Sequence, residues 1–192
     1  MKKITALEWR RQLFHALFGI GLVITIYYKI LNLQILLIIL LSGLLVSIIS
    51  RHHKLPFVSW LLKKFDRPKS IFPGEGAFFL ILGSVLVLAV FPKYISLASL
   101  LILALGDSMA HLIGKSFGKT KFANKTLMGT LAGIITGFLG ALIFVSPITA
   151  LLGSGVAMLF EAFEIRILGF KIDDNLFIPV VSSIIMYIWM VL

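Results

Sequence analysis

Seven apolar segments separated by short polar connections constrain the fold of this chain more than any other feature. Each segment is about 15 to 20 residues long, and a helix that crosses a membrane needs roughly 17 to 25 residues. The first, third, sixth and seventh segments are short and would need flanking residues to span. The segments are Leu13–Tyr28, Leu31–Ile49, Ala77–Phe91, Tyr94–Ile113, Leu127–Val145, Ile148–Phe163 and Phe177–Leu192.

Composition agrees with a membrane protein. Hydrophobic residues make up 59% of the 192 residues and charged residues only 14%, a balance that soluble domains do not have. The chain has no cysteine, which excludes disulfides and thiolate metal sites. We therefore expect an all-α, polytopic membrane protein with about seven transmembrane helices, forming a single domain over residues 1–192.

The distribution of charge predicts the orientation of the chain in the membrane. With seven spans, sixteen of the 18 Lys and Arg residues and all eight acids lie on or near one side, and only Lys29 and Lys93 lie on the other. Because basic loops stay in the cytoplasm, we expect a cytoplasmic N-terminus and site, with the C-terminus outside. Orientation and anionic lipid head groups explain the net charge of +10, so nucleic acid is not an expected partner.

The longest connection, residues 50–76, is expected to contain a helix of a different kind. Pro56–Phe65 is predicted to form a short amphipathic helix that lies in the cytoplasmic membrane interface, with lysines toward the head groups. The side chains expected to face lipid are Phe57, Trp60, Leu61 and Phe65.

A carboxylate interrupts the fourth apolar segment. Asp107 follows Tyr94 by thirteen residues, which places it ~20 Å into a hydrocarbon core of ~30 Å. An acid at that depth is costly and marks a functional site, although a buried ion pair remains the structural alternative. On a helix, His111, Gly114 and Gly118 would share its face.

A loop rich in glycine and lysine follows Asp107. Its sequence from Gly118 to Thr120 is that of a P-loop ending, but Ile113 stands where the first glycine of that motif is required, so we exclude a P-loop. Backbone N–H groups beside glycine, together with nearby ammonium groups, can still hold a polyphosphate. For Lys119 and Lys121 a role as ordinary topology lysines stays open, whereas Lys125 begins the fifth apolar segment.

Two further polar groups complete the pattern. Carboxylate and amide oxygens of the kind found between residues 161 and 175 suit Mg²⁺ bound to substrate phosphates, although helix capping is an alternative for Asp173 and Asn175. Near the N-terminus, four polar residues share one helical face and would form one wall of a pocket. The two groups are Glu161, Glu164, Asp173, Asp174 and Asn175, and Glu8, Arg11, Gln12 and His15.

These motifs, taken in order, resemble the CTP-dependent lipid kinase family, which includes dolichol, polyprenol, phytol and CTP-dependent diacylglycerol kinases. Phosphatidate cytidylyltransferases are similar at a greater distance. One departure is Met128, which stands where the family often has glutamate. Either that glutamate is not catalytic, or another acid such as Glu161 replaces it. The matching stretches are residues 8–15, 106–110 with Gly114, Lys115 and Gly118, then 124–130, and finally 161–179 with its Asp-Asp-Asn-Leu sequence.

The resemblance implies transfer of the terminal phosphate of CTP to a membrane lipid alcohol, with Mg²⁺ as cofactor. A polyprenol or dolichol is the first choice of acceptor, with diacylglycerol or phytol as alternatives. The implied catalytic residues are Asp107, Asp173, Asp174 and Lys125, and the three aspartates would bind the metal. The implied phosphate-binding residues are Gly106, Gly114, Lys115, Gly118, Lys119, Asn124, Thr126, Gly129 and Asn175. The supporting polar residues are Glu8, Arg11, His15, His111, Glu161 and Glu164.

The expected setting is a cell membrane or a membrane of the endoplasmic-reticulum type, and an oligomer is compatible with the sequence. Three other functions remain open at this point. A cytidylyltransferase would release diphosphate and make a CDP-lipid. A small transporter would use Asp107 as its ion site, although the acids gather at one face rather than along a path. A membrane scaffold would not explain the concentration of acids and glycines at 106–130 and 161–175.

Overall fold

The structure is a computed structural model that describes residues 5–53, 55–66, 70–163, 166–167 and 170–192. All seven apolar segments lie in helices, as predicted. The helices are α1 (Ala6–Tyr27), α2 (Leu33–His52), α3 (Pro56–Phe65), α4 (Glu75–Val90), α5 (Lys93–Leu101), α6 (Ser108–Phe117), α7 (Leu127–Ala141), α8 (Pro147–Glu161) and α9 (Asp174–Val191).

The fourth apolar segment is not one uniform α-helix. A π-helical segment, Ile102–Asp107, joins α5 to α6. Such wide turns are rare and occur frequently at functional sites. The hydroxyl of Thr136 in α7 donates to the carbonyl of Leu105 inside this segment, at 3.2 Å. Asp107 is therefore the last residue of a locally widened helix, a feature that hydrophobic periodicity does not reveal.

The helix formed by α5, the π-helical segment and α6 lies at the centre of the molecule. Buried residues of α5 belong to two apolar clusters. One cluster also contains residues of the π-helical segment, α8 and α9. The other contains residues of α1, α2 and α4. Helix α2 lies at the periphery, and most of its side chains are exposed. The central position of the fourth segment fixes Asp107 between α1 on one side and α7, α8 and α9 on the other.

Small residues allow α7 to approach the central helix closely. A Cβ on Gly106 would lie 3.1 Å from both the carbonyl oxygen of Gly133 and the sulfur of Met158. A Cβ on Gly129 would lie 2.6 Å from the carbonyl oxygen of Ala110. These glycines hold the backbone of the Asp107 region against α7 and α8.

The amphipathic helix α3 has the predicted bounds, but its side chains divide differently from the prediction. Phe57 and Trp60 are exposed at 70% and 50%, as expected for residues that face lipid. Leu61 and Phe65 instead line an internal cavity, and the Phe65 ring stacks on Phe14 of α1 with ring centroids 4.4 Å apart. Sequence periodicity places residues on a face but does not say which face another helix covers.

Two short antiparallel hairpins, which the sequence did not predict, connect the helices at the polar end. The first pairs β1 (Lys121–Phe122) with β2 (Lys125–Thr126) between α6 and α7. The second pairs β3 (Arg166–Ile167) with β4 (Phe170–Lys171) between α8 and α9. Two-residue strands carry too little alternation to be recognised from sequence.

Among the described residues, three helices are long and apolar enough to cross a membrane: Leu33–His52, Lys93–Phe117 and Asp174–Val191. Helices α4, α7 and α8 are apolar but shorter. The protein is an all-α integral membrane protein, and the count of seven spans stays a prediction.

The predicted orientation is tested by cysteine labelling, for which this cysteine-free chain is already suited. Lys29 and Lys93 lie at one end of the molecule, where the Lys93 ammonium donates to the carbonyl of Tyr27 at 3.0 Å. We expect Lys29→Cys to react with an impermeant maleimide in intact cells, and Lys121→Cys to react only after permeabilisation. Labelling of Lys121→Cys from outside would contradict the cytoplasmic position of the site.

Candidate active site

Three carboxylates from different parts of the chain meet beside the central helix. Asp107 ends the π-helical segment, Glu161 ends α8, and Asp174 begins α9. Each offers an oxygen atom, and the three oxygens all lie within 4.8 Å of one another. Like charges this close repel, so a nearby cation stabilises the arrangement.

Lys125 supplies one such cation. Its ammonium forms an ion pair and hydrogen bond with Oε1 of Glu161, whose side chain is 1% exposed. Burial alone would lower the pKa of Lys125, but the charges of Glu161, Asp174 and Asp107 outweigh it and raise the pKa above its ordinary value. Lys125 therefore stays protonated at any physiological pH and faces all three acids.

Glu161 retains one oxygen that the surrounding protein does not satisfy. Its Oε2 is buried and has no hydrogen-bond partner among the described residues. A buried carboxylate oxygen without a partner is costly. Together with the nearby oxygens of Asp107 and Asp174, it forms a set of hard oxygen ligands that fits Mg²⁺. The fit rests on this donor set, and these three residues would hold the ion.

Helix α1 supplies the opposite wall of the site, as the shared face of its polar residues predicted. Nε2 of His15 lies 3.8 Å from Oδ2 of Asp107. The hydroxyl of Ser108 donates to the carbonyl of Gln12 at 3.3 Å and fixes α1 beside α6. Arg11 lines the same cavity as His15 and Asp107.

Glu8 and Lys115 form a second ion pair, between the first turn of α1 and the end of α6. The other oxygen of Glu8 accepts from the backbone N–H of Thr5 in a capping box at the start of α1. The hydrogen bond from Lys115 is the largest cause that lowers the pKa of Glu8 to about 2. Glu8 therefore remains ionised and holds the Lys115 ammonium beside the cavity.

The two adjacent aspartates before the last apolar segment have different surroundings. Asp173 is the N-cap of α9, and its carboxylate accepts from the backbone N–H of Asn175 at 2.9 Å. The side-chain amide of Asn175 donates to the carbonyl of Gly76 and fixes α9 to α4. The carboxylate cluster thus contains Asp107 and Asp174, which the sequence predicts as metal ligands, and Glu161, which it predicts as a supporting residue. Asp173, the third predicted metal ligand, is not part of this cluster. Capping and ligation use the same residue types, so sequence alone did not separate them.

Several residues expected to bind phosphate have packing or loop-fixing contacts. Thr126 caps α7 by accepting from the N–H of Gly129 at 3.2 Å. A Cβ on Gly118 would overlap the side chain of Thr126, and one on Gly114 would lie 2.9 Å from the hydroxyl oxygen of Thr126. The side-chain amide of Asn124 donates to the carbonyl of Phe163 at 3.0 Å. These contacts hold the hairpin with Lys125 against the end of α8.

A cavity of about 1190 Å³ extends from the carboxylates toward α3. Asp107, His111 and Gly114 all line it, as their helical spacing predicted. Gly118, which was predicted to share their face, follows the end of α6 and is not among the lining residues. Lys121 also lines it, whereas the sequence analysis treated Lys121 as a loop lysine and assigned phosphate binding to Lys119, which is exposed outside the lining. Glu164 lies outside the described residues.

The cavity is charged at one end and apolar at the other. The charged end combines the carboxylates of Asp107 and Asp174 with cationic groups from α1, α6 and the hairpin, and the apolar end is formed by α1, α2, α3 and α4. The cations that line the charged end are Arg11, Lys115, Lys121 and Lys125. A cavity with a charged end and an apolar end can bind a polyphosphate and its metal ion next to an apolar ligand.

The different surroundings of Asp173 and Asp174 lead to a testable prediction. Asparagine caps helices as well as aspartate does, so Asp173→Asn should preserve both folding and turnover. Asp174→Asn removes a charge from the carboxylate cluster, and we expect turnover to fall by about two orders of magnitude. Turnover per folded molecule, measured on the two purified variants side by side, tests this difference. An equal loss of turnover in Asp173→Asn would show that Asp173 also takes part in the reaction.

The chain is similar to curated proteins over most of its length. It is 30% identical to CTP-dependent diacylglycerol kinase 1 of Schizosaccharomyces pombe over 136 aligned residues, which cover 60% of this chain and 61% of the relative. It is 29% identical to the protein of the same name from Saccharomyces cerevisiae over 218 aligned residues, covering 95% of this chain and 73% of the relative.

Similarity also extends to an uncharacterized protein of Methanocaldococcus jannaschii, at 29% identity over 182 aligned residues that cover 93% of this chain and 92% of the relative. No protein-family model and no solved structure matches the chain. The similar proteins thus include both proteins named as CTP-dependent diacylglycerol kinases and a protein of nearly the same length.

Proposed function

We propose that this protein is a CTP-dependent lipid kinase that transfers the terminal phosphate of CTP to the hydroxyl of a membrane lipid. The observation that carries the proposal is the cluster of Asp107, Glu161 and Asp174 with Lys125, at the charged end of a cavity that continues into an apolar region. Phosphoryl transfer requires little covalent chemistry from the protein and depends on positioning and charge stabilisation. The cluster provides both.

In the proposed reaction, the lipid hydroxyl oxygen forms a bond to the γ-phosphorus of CTP. The bond between that phosphorus and the β–γ bridging oxygen breaks, and CDP leaves with the electron pair. The products are a lipid phosphate, CDP and one proton. Lys125, Lys115 and Lys121 bind phosphate oxygens and stabilise the negative charge during transfer. When bound, Mg²⁺ would neutralise phosphate charge at Asp107, Glu161 and Asp174.

Asp107 is the carboxylate that we assign to accept the hydroxyl proton. Its Oδ2 lies 3.8 Å from Nε2 of His15 in α1. Side chains of α1 close to His15 form part of the apolar wall of the cavity. Asp107 therefore stands between the charged end and the apolar end. A base must lie within hydrogen-bond reach of the proton that it removes, and this position offers that reach to a lipid hydroxyl.

The choice of CTP and of the lipid rests on the sequence resemblance and on the names of the similar yeast proteins. Those names support diacylglycerol as the acceptor, and the family that the sequence resembles also includes kinases of polyprenol, dolichol and phytol. The charged end by itself would suit any nucleoside triphosphate, because phosphate contacts do not read the base.

A matrix of donors and acceptors with purified protein tests the proposal. CTP, ATP, GTP and UTP are each combined with diacylglycerol, a polyprenol and phytol in mixed micelles, and the lipid products are identified by mass. We expect one combination with CTP to produce a lipid that is heavier by one phosphate group. A product carrying a CMP unit would instead indicate a cytidylyltransferase, and solute flux in liposomes with no transfer from any nucleotide would indicate a transporter.

A further inference from the structure

The apolar end of the cavity is formed by the inner face of α3 and the facing side of α1. Four α3 residues at helical spacing turn toward the cavity, and two phenylalanines of α1 lie across from them. The Phe14 ring stacks on the Phe65 ring with centroids 4.4 Å apart. The residues of this wall are Val58, Leu61, Leu62 and Phe65 on α3, and Phe14 and Phe18 on α1.

The size of the cavity indicates room for more than a nucleotide. Pockets for a single small ligand generally have volumes of about 300–1,000 Å³, and this cavity measures about 1190 Å³. The cations and the carboxylates of Asp107 and Asp174 occupy its charged end. A nucleotide held there by its phosphates would leave the wall between α1 and α3 for a second ligand.

The outer face of α3 indicates where that ligand comes from. Phe57 and Trp60 are exposed and stacked on each other, with ring centroids 6.2 Å apart. The ammonium of Lys64 lies 4.3 Å from the centroid of the Trp60 ring. Exposed aromatic side chains next to lysine are typical of a helix anchored at the membrane interface. One face of α3 thus contacts the membrane and the other lines the cavity.

We propose that α3 and the facing side of α1 form the acceptor site, in which the lipid alcohol places its hydrocarbon chain against Leu61 and the stacked rings of Phe65 and Phe14. A ligand that reaches both ends of the cavity needs a polar head at the carboxylates and an apolar chain at this wall. A lipid alcohol has both, and its hydroxyl would lie at Asp107. This inference rests on the proposed kinase function, and it adds the residues that bind the acceptor.

Thiol protection tests the acceptor site without any need for turnover. Leu61→Cys places a thiol on the inner face of α3 and Phe57→Cys places one on the outer face, in a chain that has no other cysteine. Dioctanoylglycerol and a short polyprenol serve as probes, and the rate of maleimide labelling is measured. At ten times its Kd a ligand occupies about 90% of its sites, so labelling of Leu61→Cys should slow about tenfold.

The labelling of Phe57→Cys should not change, and CTP alone should not protect Leu61→Cys. Equal protection at both positions would show partition into the micelle and would overturn the acceptor site. Absence of protection at Leu61→Cys by a lipid that the wild-type protein phosphorylates would also overturn it, while leaving the kinase function intact. Protection without phosphate transfer to any lipid would retain the lipid site and contradict the kinase.

A kinetic comparison covers the case in which Leu61→Cys does not fold. Phe65→Ala removes an aromatic side chain from the inner wall, and we expect the KM for the lipid to rise about tenfold, since burial of such a side chain contributes that much to binding. The KM for CTP should stay constant. Phe57→Ala removes an aromatic ring from the outer face of the same helix and should change neither constant. An equal rise in both KM values in Phe65→Ala would overturn the acceptor site.

Discussion

Replacement of Asp107 by asparagine should reduce phosphate transfer by at least about two orders of magnitude, the scale expected for loss of a general base. The change keeps the shape of the side chain and removes its charge. Because Asp107 shares its surroundings with Glu161 and Asp174, the substitution also relieves repulsion between like charges. We therefore expect thermal stability in detergent to hold or to rise while turnover per folded molecule collapses.

A matched control for this variant is Asp66→Asn. Asp66 also lines the cavity, but its carboxylate accepts hydrogen bonds from the hydroxyl of Ser70 and the backbone N–H of Gly74. The same chemical change there should leave turnover close to that of the wild type. If Asp107 served only as half of a structural ion pair, Asp107→Asn would melt at a lower temperature with normal turnover per folded molecule. That result would remove Asp107 from the reaction.

Replacement of Lys125 by methionine should reduce both turnover and stability. The sequence predicts Lys125 as a catalytic residue at the start of the fifth apolar segment, and the structure shows a side chain that is 27% exposed and paired with a buried glutamate. Removal of one partner from a buried ion pair costs about 3 kcal/mol or more. The remaining carboxylates would also lose the cation that faces them, so we expect a lower melting temperature together with a loss of transfer.

A double variant separates the two effects of Lys125. Lys125→Met combined with Glu161→Gln leaves no uncompensated charge in the pair, and it should recover most of the stability without recovering turnover. Lys119→Met, which changes an exposed lysine outside the cavity lining, should behave like the wild type because exposed charges contribute little. Normal turnover in Lys125→Met, after correction for the folded fraction, would limit Lys125 to a structural role.

Much of the helical framework could be predicted because the sequence patterns that mark the start and end of a helix are local. Apolar segments ended by polar residues predicted the positions of the helices, and Pro56 and Phe65 correctly bounded α3. The spacing of Asp107, His111 and Gly114 correctly placed them on one wall. The number of spans depends on how the shorter helices sit in a bilayer, so it stays a prediction.

The features that the sequence missed depend on tertiary contacts. The π-helical segment before Asp107 changes the hydrogen-bond register of the helix without changing its hydrophobicity. The assignment of Glu161 rather than Asp173 to the carboxylate cluster depends on how α8 meets α9. Lys121 lines the cavity because the hairpin formed by the two-residue strands β1 and β2 places it at the cavity wall. A single sequence contains no local signal for any of these three arrangements.

The central claim is that the terminal phosphate of CTP is transferred to a lipid hydroxyl at the Asp107 cluster. Its most direct test supplies purified protein with CTP labelled either at the γ-phosphate or at the α-phosphate, in micelles that contain the acceptor lipid. We predict that the γ-label appears in the extracted lipid, that the α-label stays in the nucleotide, and that Asp107→Asn abolishes the lipid signal. Appearance of the α-label in the lipid, or undiminished γ-transfer by folded Asp107→Asn, would contradict the account.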